Sequence, residues 1–382
     1  MKIIFKTLLG VAAAALVHSC ATAPSQTLSG LSPEKFVSEV NGKPTALYTL
    51  VNANGMEVCV TNFGGRIVSV MVPDRNGEMK DVVLGFDNIV NYADKVNTPS
   101  DFGASVGRYA NRINKGQIVI DGEMIQLPQN NFGHCLHGGP DGWQYQVYDA
   151  VQPDNSTIVL TMESPDGDAN FPGAVTAVVT MKVTDDNAID ISYEAVTDKK
   201  TVINMTNHTY FNLSGDPTRR VDDHLMQIDA DNYTPVDFTF MTTGEILPVE
   251  GTPMDFRQPA AIGQDIKNFE FQQVKFGNGF DHNWCLNTAG DDTKVAARAW
   301  CPDTGICLEV LTDEPGVQFY SGNFLDGSCT GKNGVTYQQS TGFCLETQKY
   351  PDTPNKPEWP SAFLEPGQKY TSHCVYRFST VE

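Results

Sequence analysis

The chain has 382 residues, 40% hydrophobic and 19% charged, enough apolar material for a large core and too little charge for a disordered polyelectrolyte. Its 26 lysines and arginines face 46 aspartates and glutamates, a formal net charge of −20, and no basic cluster stands out. Nucleic acid is therefore excluded as a partner, because displacing phosphate counterions needs grouped cations.

The first element is MKIIFKTLLGVAAAALVHSC, with two lysines and then an apolar run from Leu8 to Val17. That run is too short to span a bilayer and has the form of an export signal. Its ending, Leu16-Val17-His18-Ser19-Cys20, resembles a bacterial lipobox, with His18 where a small residue is commoner. The expectation is a signal over residues 1–20, lipidation at Cys20, a small polar tether over 21–34 and a folded body over 35–382. The protein would then be exported, periplasmic or membrane-anchored, and would touch a membrane only through its N-terminal lipid. Cleavage after Ala23 is the alternative, disfavoured by Pro24 just past the cut.

Strand signals then follow at short intervals. MEVCVTNFGGRIVSVMVPD, STIVLTMES, AVTAVVTMKV, AIDISYEAV, ICLEVLTD and HCVYRFS are rich in β-branched and aromatic residues and are separated by Gly, Pro and Asp turn signals. Convincing amphipathic helices are missing and no linker divides the body. The fold class expected is all-β, one large antiparallel β-sandwich, although single cores commonly stop growing at about 250–300 residues. Eight cysteines follow Cys20, none at metal-ligand spacing. Cys301 and Cys307 flank a Pro-Asp-Thr-Gly turn that could bring them near each other.

Six stretches carry side chains with chemistry. In chain order they are GRYANRINKG with Asn111 and Arg112, HCLHGGP with His137, NMTNHTYFN with His208 and Tyr210, TPMDFRQ with Asp255, GVQFYSG with Gln318, and GFCLETQ with Glu346. In a regular strand Asn204, Thr206, His208, Tyr210 and Asn212 share one face, a polar row that must meet protein groups, water or a polyhydroxylated ligand. Asn207 and Thr209 spoil the other face, which points to a strand end or bulge beside a site. Taken singly each has a plain structural reading: a satisfied histidine, an Arg112–Asp255 ion pair, a turn cap at His137, an edge amide at Gln318, an exposed carboxylate at Glu346.

Together, NRINKG, LHGG, TNHTYFNL, MDFR, GVQFYSGNFLDG and GFCLETQ, in this order, resemble the aldose 1-epimerases, or galactose mutarotases, from about Gly55 to Tyr376. The resemblance implies a single galactose mutarotase-like sandwich, which meets the objection from size, and interconversion of the anomers of free aldohexoses. It implies Glu346 as general base, His208 as general acid and His137 as a second histidine near the ring oxygen. Asn111, Arg112, Tyr210, Asp255 and Gln318 would line the sugar pocket, while the additional His134 and Cys135 match no family role and are left as structural.

Ring opening removes a proton from the C1 hydroxyl and supplies one to the ring oxygen, so it needs an acid and a base but no metal and no organic cofactor. A histidine, titrating near pH 6.5, suits the acid. Trp143, Tyr210, Phe280 and Phe319 are candidates to stack on the sugar. The alternatives are a metal site of His134, His137 and His208, a hydrolase using Asp255 and Glu346, a non-catalytic sugar-binding module of the same fold, and a hexose-6-phosphate epimerase needing extra cations.

Overall fold

The computed structural model describes residues 26–382; Cys20 and the signal expected over 1–20 lie outside them. Its backbone is a sandwich of antiparallel sheets. The large sheet has nine strands, in the spatial order Asp149–Val151, Thr157–Ser164, Val175–Val183, Ala188–Thr197, Tyr370–Thr380, Ile306–Thr312, Val295–Trp300, Leu225–Ile228 and Ala260–Ala261. Its long central strands bury alternate residues, as a sheet does when one face meets the core and the other meets water.

Opposite lie a five-stranded sheet (Leu247–Pro248, Asn232–Thr234, Asp281–Cys285, Gly316–Tyr320, Cys344–Gln348) and a four-stranded one (Leu47–Val51, Glu57–Thr61, Arg66–Pro73, Met79–Asp81). One continuous cluster fills the space between the layers: Val179, Ile191 and Tyr376 from the large sheet meet Trp284, Val317, Phe319 and Leu345 from the five-stranded sheet and Val58 and Ile67 from the third. The α-helices among the described residues are short, Ile89–Ala93, Ile262–Asp265 and Gln272–Gly277.

Two expectations are corrected. Residues 26–34, assigned to a tether, are docked on the body: Leu31 is buried, and the Glu57 carboxylate accepts the Leu28 N–H at 2.8 Å. Cys301 and Cys307 do not face each other. Cys307 pairs with Trp300, one residue before Cys301, so the pleat sends the two thiols to opposite faces, and all eight described cysteines are free.

Candidate active site

The five-stranded sheet turns one face to the core and the other to a cleft. Along Cys344–Gln348 the pleat puts Leu345 and Thr347 on one face and Cys344, Glu346 and Gln348 on the other. Register places Gln318 opposite Glu346, Asn283 opposite Gln318, and Asp281 opposite Tyr320. Three strands therefore present one polar row, and its amides interlock: Gln318 Nε2 donates to Asp281 Oδ1 at 2.8 Å, Gln348 Nε2 to Gln318 Oε1 at 3.3 Å, and Asn111 Nδ2 to Gln348 Oε1 at 3.4 Å. From the core side Tyr376 Oη donates to the Leu345 carbonyl at 2.8 Å, anchoring the backbone beside Glu346.

His208 ends the short strand Thr206–His208, paired with Ala104–Val106. The strand stops there because Asn207 Oδ1 accepts the Thr209 N–H at 3.1 Å, a local turn that competes with the ladder. A bridge between Phe211 and Phe343 brings this segment beside the strand of Glu346. His208 Nε2 then lies 3.4 Å from Glu346 Oε1, and its Nδ1 3.5 Å from Cys344 Sγ. The imidazole lies against Tyr210 at 5.1 Å and meets His137 edge-on at 5.3 Å. Of the predicted polar row only His208 and Tyr210 reach the cleft; Asn204 Nδ2 bonds the Ala110 carbonyl, and Asn212 Nδ2 bonds those of Asp216, Arg219 and Thr341.

Asn111 and His137 both sit at positive φ, 64° and 51°, in two loops bonded back to back: the His137 N–H donates to the Asn111 carbonyl, and the Asn111 N–H donates to His137 Nδ1 at 3.1 Å. The approach needs Gly138 (φ 77°), where a Cβ would lie 2.4 Å from the Gly107 carbonyl oxygen. With Nδ1 accepting, a neutral His137 carries its proton on Nε2. Burial pushes its pKa down to about 3, so at neutral pH it is a hydrogen-bond donor and not a proton source. Burial acts oppositely on Glu346, raising its pKa to about 7 against the opposing attraction of His208. Glu346 Oε2 is buried without a hydrogen-bond partner among the described residues. Arg112, nearly enclosed, donates from Nε to Asn131 Oδ1 at 3.1 Å and lies over the Phe240 ring. Burial lowers its pKa, and Asp281 and Glu346 oppose the change.

The cleft is a cavity of about 290 Å³ whose wall includes Asp101, Asn111, Arg112, His137, His208, Tyr210, Asp281 and Glu346. Two predicted residues do not line it. Asp255 lies in a separate surface groove, its carboxylate bound to Arg257 at 2.8 and 2.9 Å. Asp281 lines the cleft where Asp255 was expected, with Gln318 one layer behind it. Of the proposed stacking residues only Tyr210 lines the cleft; Trp143, Phe280 and Phe319 are in the core, and Phe132, Phe240, Tyr320 and Phe324 line the mouth instead. The signal for Asp281 was the alternation of Asp281 and Asn283 in DHNWC, which repeats that of Gln318 and Tyr320 and of Glu346 and Gln348.

His134 is held elsewhere, accepting the Lys115 N–H on Nδ1 and meeting Thr239 Oγ1 through Nε2, so the alternative three-histidine metal set does not assemble. Two other trios, Asp101–His137–His208 and His208–Cys344–Glu346, bring potential ligand atoms within 4.8 Å of one another. Both use His208, so metal binding would compete with proton transfer at that imidazole.

A buried carboxylate touching an imidazole at the base of a cleft walled by neutral amides, one guanidinium and aromatic rings defines an acid–base site for a small polyhydroxylated ligand on a mutarotase-like sandwich. The profile of the family described as aldose 1-epimerase matches residues 46–377. Human galactose mutarotase is 40% identical over 324 residues, covering 85% of this chain and 91% of the human protein. The aldose 1-epimerase of Escherichia coli K12 is 38% identical over 88% of this chain and 96% of its own. Among solved structures, the aldose epimerase homologue of C. elegans superposes with a TM-score of 0.81 at 31% identity, covering 88% of this chain and 100% of that one. The chain belongs to the aldose 1-epimerase family, and it is an isomerase.

Proposed function

We infer that the protein interconverts the α and β anomers of free aldohexoses, glucose and galactose among them, and the observation that carries this is the His208–Glu346 contact. The two oxygens that exchange protons, O1 and the ring oxygen, share one carbon, so acid and base must be neighbours, as these are. Glu346 takes the O1 proton, C1=O forms, the C1–ring-oxygen bond breaks, and the ring oxygen takes the Nε2 proton of imidazolium His208. Rotation about C1–C2 exposes the other carbonyl face, and reclosure returns both protons. Titrating at about 7, Glu346 is poised for this exchange near neutral pH. The Sγ of Cys344 lies 3.5 Å from Nδ1, so Nε2 is the ring nitrogen turned to Glu346. His137 donates through Nε2 near the ring oxygen; Asn111, Arg112 and Asp281 bind the remaining hydroxyls.

Polarimetry of freshly dissolved α-D-glucose and α-D-galactose, with and without protein, tests the activity. Turnover should exceed the buffer blank and survive EDTA. Rates equal to the blank with sugar bound would favour a binding module, and loss to EDTA with recovery on zinc would favour one of the metal trios.

The proposed setting is outside the inner membrane, with a lipid on Cys20, supported by the lysines, the apolar run and the lipobox-like ending. Mass spectrometry of the mature amino terminus tests it, and an unmodified terminus at Pro24 would overturn it.

A further inference from the structure

A second lobe, a separate cavity that adjoins the reaction cleft, is left unused by this chemistry. It is a cavity of about 290 Å³ sharing Asp101, Tyr210, Tyr320 and Phe324 with the cleft and closed by Ser100, Leu325, Asp326 and Ser328. Neither Arg112, Asp281 nor Glu346 lines it. It therefore adjoins the cleft on the Asp101–Tyr210 side of His208, where the Asp101 carboxylate lies within 4.8 Å of the His137 and His208 nitrogens.

We propose that this lobe binds a second, uncharged sugar ring attached through O6 of the reducing hexose, so that the substrates include reducing (1→6)-linked disaccharides. The inference rests on the placement of the first ring given under the proposed function. With O1 at Glu346 and the ring oxygen at His208, the ring oxygen's other neighbour is C5, which carries C6 toward the lobe, while Arg112 and Asp281 hold hydroxyls elsewhere on the ring. Phe324, 52% exposed and common to both lobes, presents an aromatic face on which the apolar side of a pyranose can lie. Charge selects against the obvious competitor at O6: Asp101 and Asp326 line the lobe and, among the described residues, no Lys, Arg or His does, so a phosphate would meet like charge.

The test compares kcat/KM for anomer exchange, by NMR, among glucose, isomaltose (1→6), maltose (1→4) and glucose 6-phosphate. Isomaltose should fall within about tenfold of glucose, and maltose and glucose 6-phosphate at least about tenfold below isomaltose. Ser328 is exposed and outside the reaction cleft. Ser328→Trp should lower the isomaltose value by about tenfold or more and the glucose value by less than about twofold. Maltose or the phosphate matching isomaltose would overturn the proposal, as would Ser328→Trp slowing glucose and isomaltose alike. Loss of isomaltose turnover alone, with glucose active, sinks the subsite; an inactive wild type on glucose sinks the anomerase reading beneath it.

Discussion

Asp281 and Asp255 are both carboxylates beside an aromatic, but only Asp281 faces the cleft, where Gln318 steadies one oxygen. Asp281→Asn removes a charged acceptor for sugar hydroxyls, costing about 1.5–3 kcal/mol or one to two decades in affinity. Asp255→Asn should leave sugar affinity unchanged in calorimetric titration, because its partner is Arg257. Glu346 sets the pH response. It must be ionised to accept the O1 proton, so kcat/KM should fall as pH drops through about 7, and a profile flat between pH 5 and 8 would remove its assignment as base. His208 and Glu346 were legible in sequence because each sits in a distinctive run, TNHTYF and GFCLETQ. Asp281 was passed over because the alternation in DHNWC gains meaning only beside the strands of Gln318 and Glu346, which register brings together. Asp255 was misread for the converse reason: its run is conspicuous, but its carboxylate folds back on the arginine two residues later.

The strands Asp281–Cys285, Gly316–Tyr320 and Cys344–Gln348 do two jobs at once, one face in the core and one in the cleft. Phe319 belongs to the first, fully buried against Phe256 and Phe280, while adjacent Gln318 and Tyr320 belong to the second. Phe319→Ala should cost about 3–5 kcal/mol in urea unfolding. Where the variant remains folded, KM for hexose should stay near that of wild type. The long strands of the large sheet were readable from alternation, which is regular wherever one face is wet. The aromatic mouth was not, because Phe132, Phe240 and Phe324 come from three loops far apart in the chain and meet only through folding. The segment 26–34 was misread because its small polar composition resembles a linker, whereas Leu31 and the Glu57 bond to Leu28 fasten it down.

At the scale of the whole molecule, His373 clamps the outer side of the large sheet. It lies between Asp190 of the neighbouring strand, at 3.1 Å, and Asp292 of a connecting loop, at 2.8 Å. The bond to Asp190, with that to Asp292, raises its pKa to about 9 against the effect of burial. A histidine whose pKa is raised by folding adds stability that is full below its unfolded value of about 6.5 and is lost as pH rises through the folded value. Thermal melts between pH 6.5 and 9 should show a decline in Tm that His373→Gln flattens, and parallel curves would contradict the clamp. The sandwich as a whole holds one carboxylate and one imidazole from separate segments 3.4 Å apart. The direct measurement is polarimetric kcat on α-D-galactose for Glu346→Gln, His208→Asn and the double variant. Each single change should lower kcat by about 10²–10⁴-fold with sugar still bound, and the double variant should be little worse than the poorer single one, because groups acting as a unit are strongly non-additive. Near-wild-type turnover by either single variant, or fully multiplicative losses in the double, would contradict a shared proton-transfer unit.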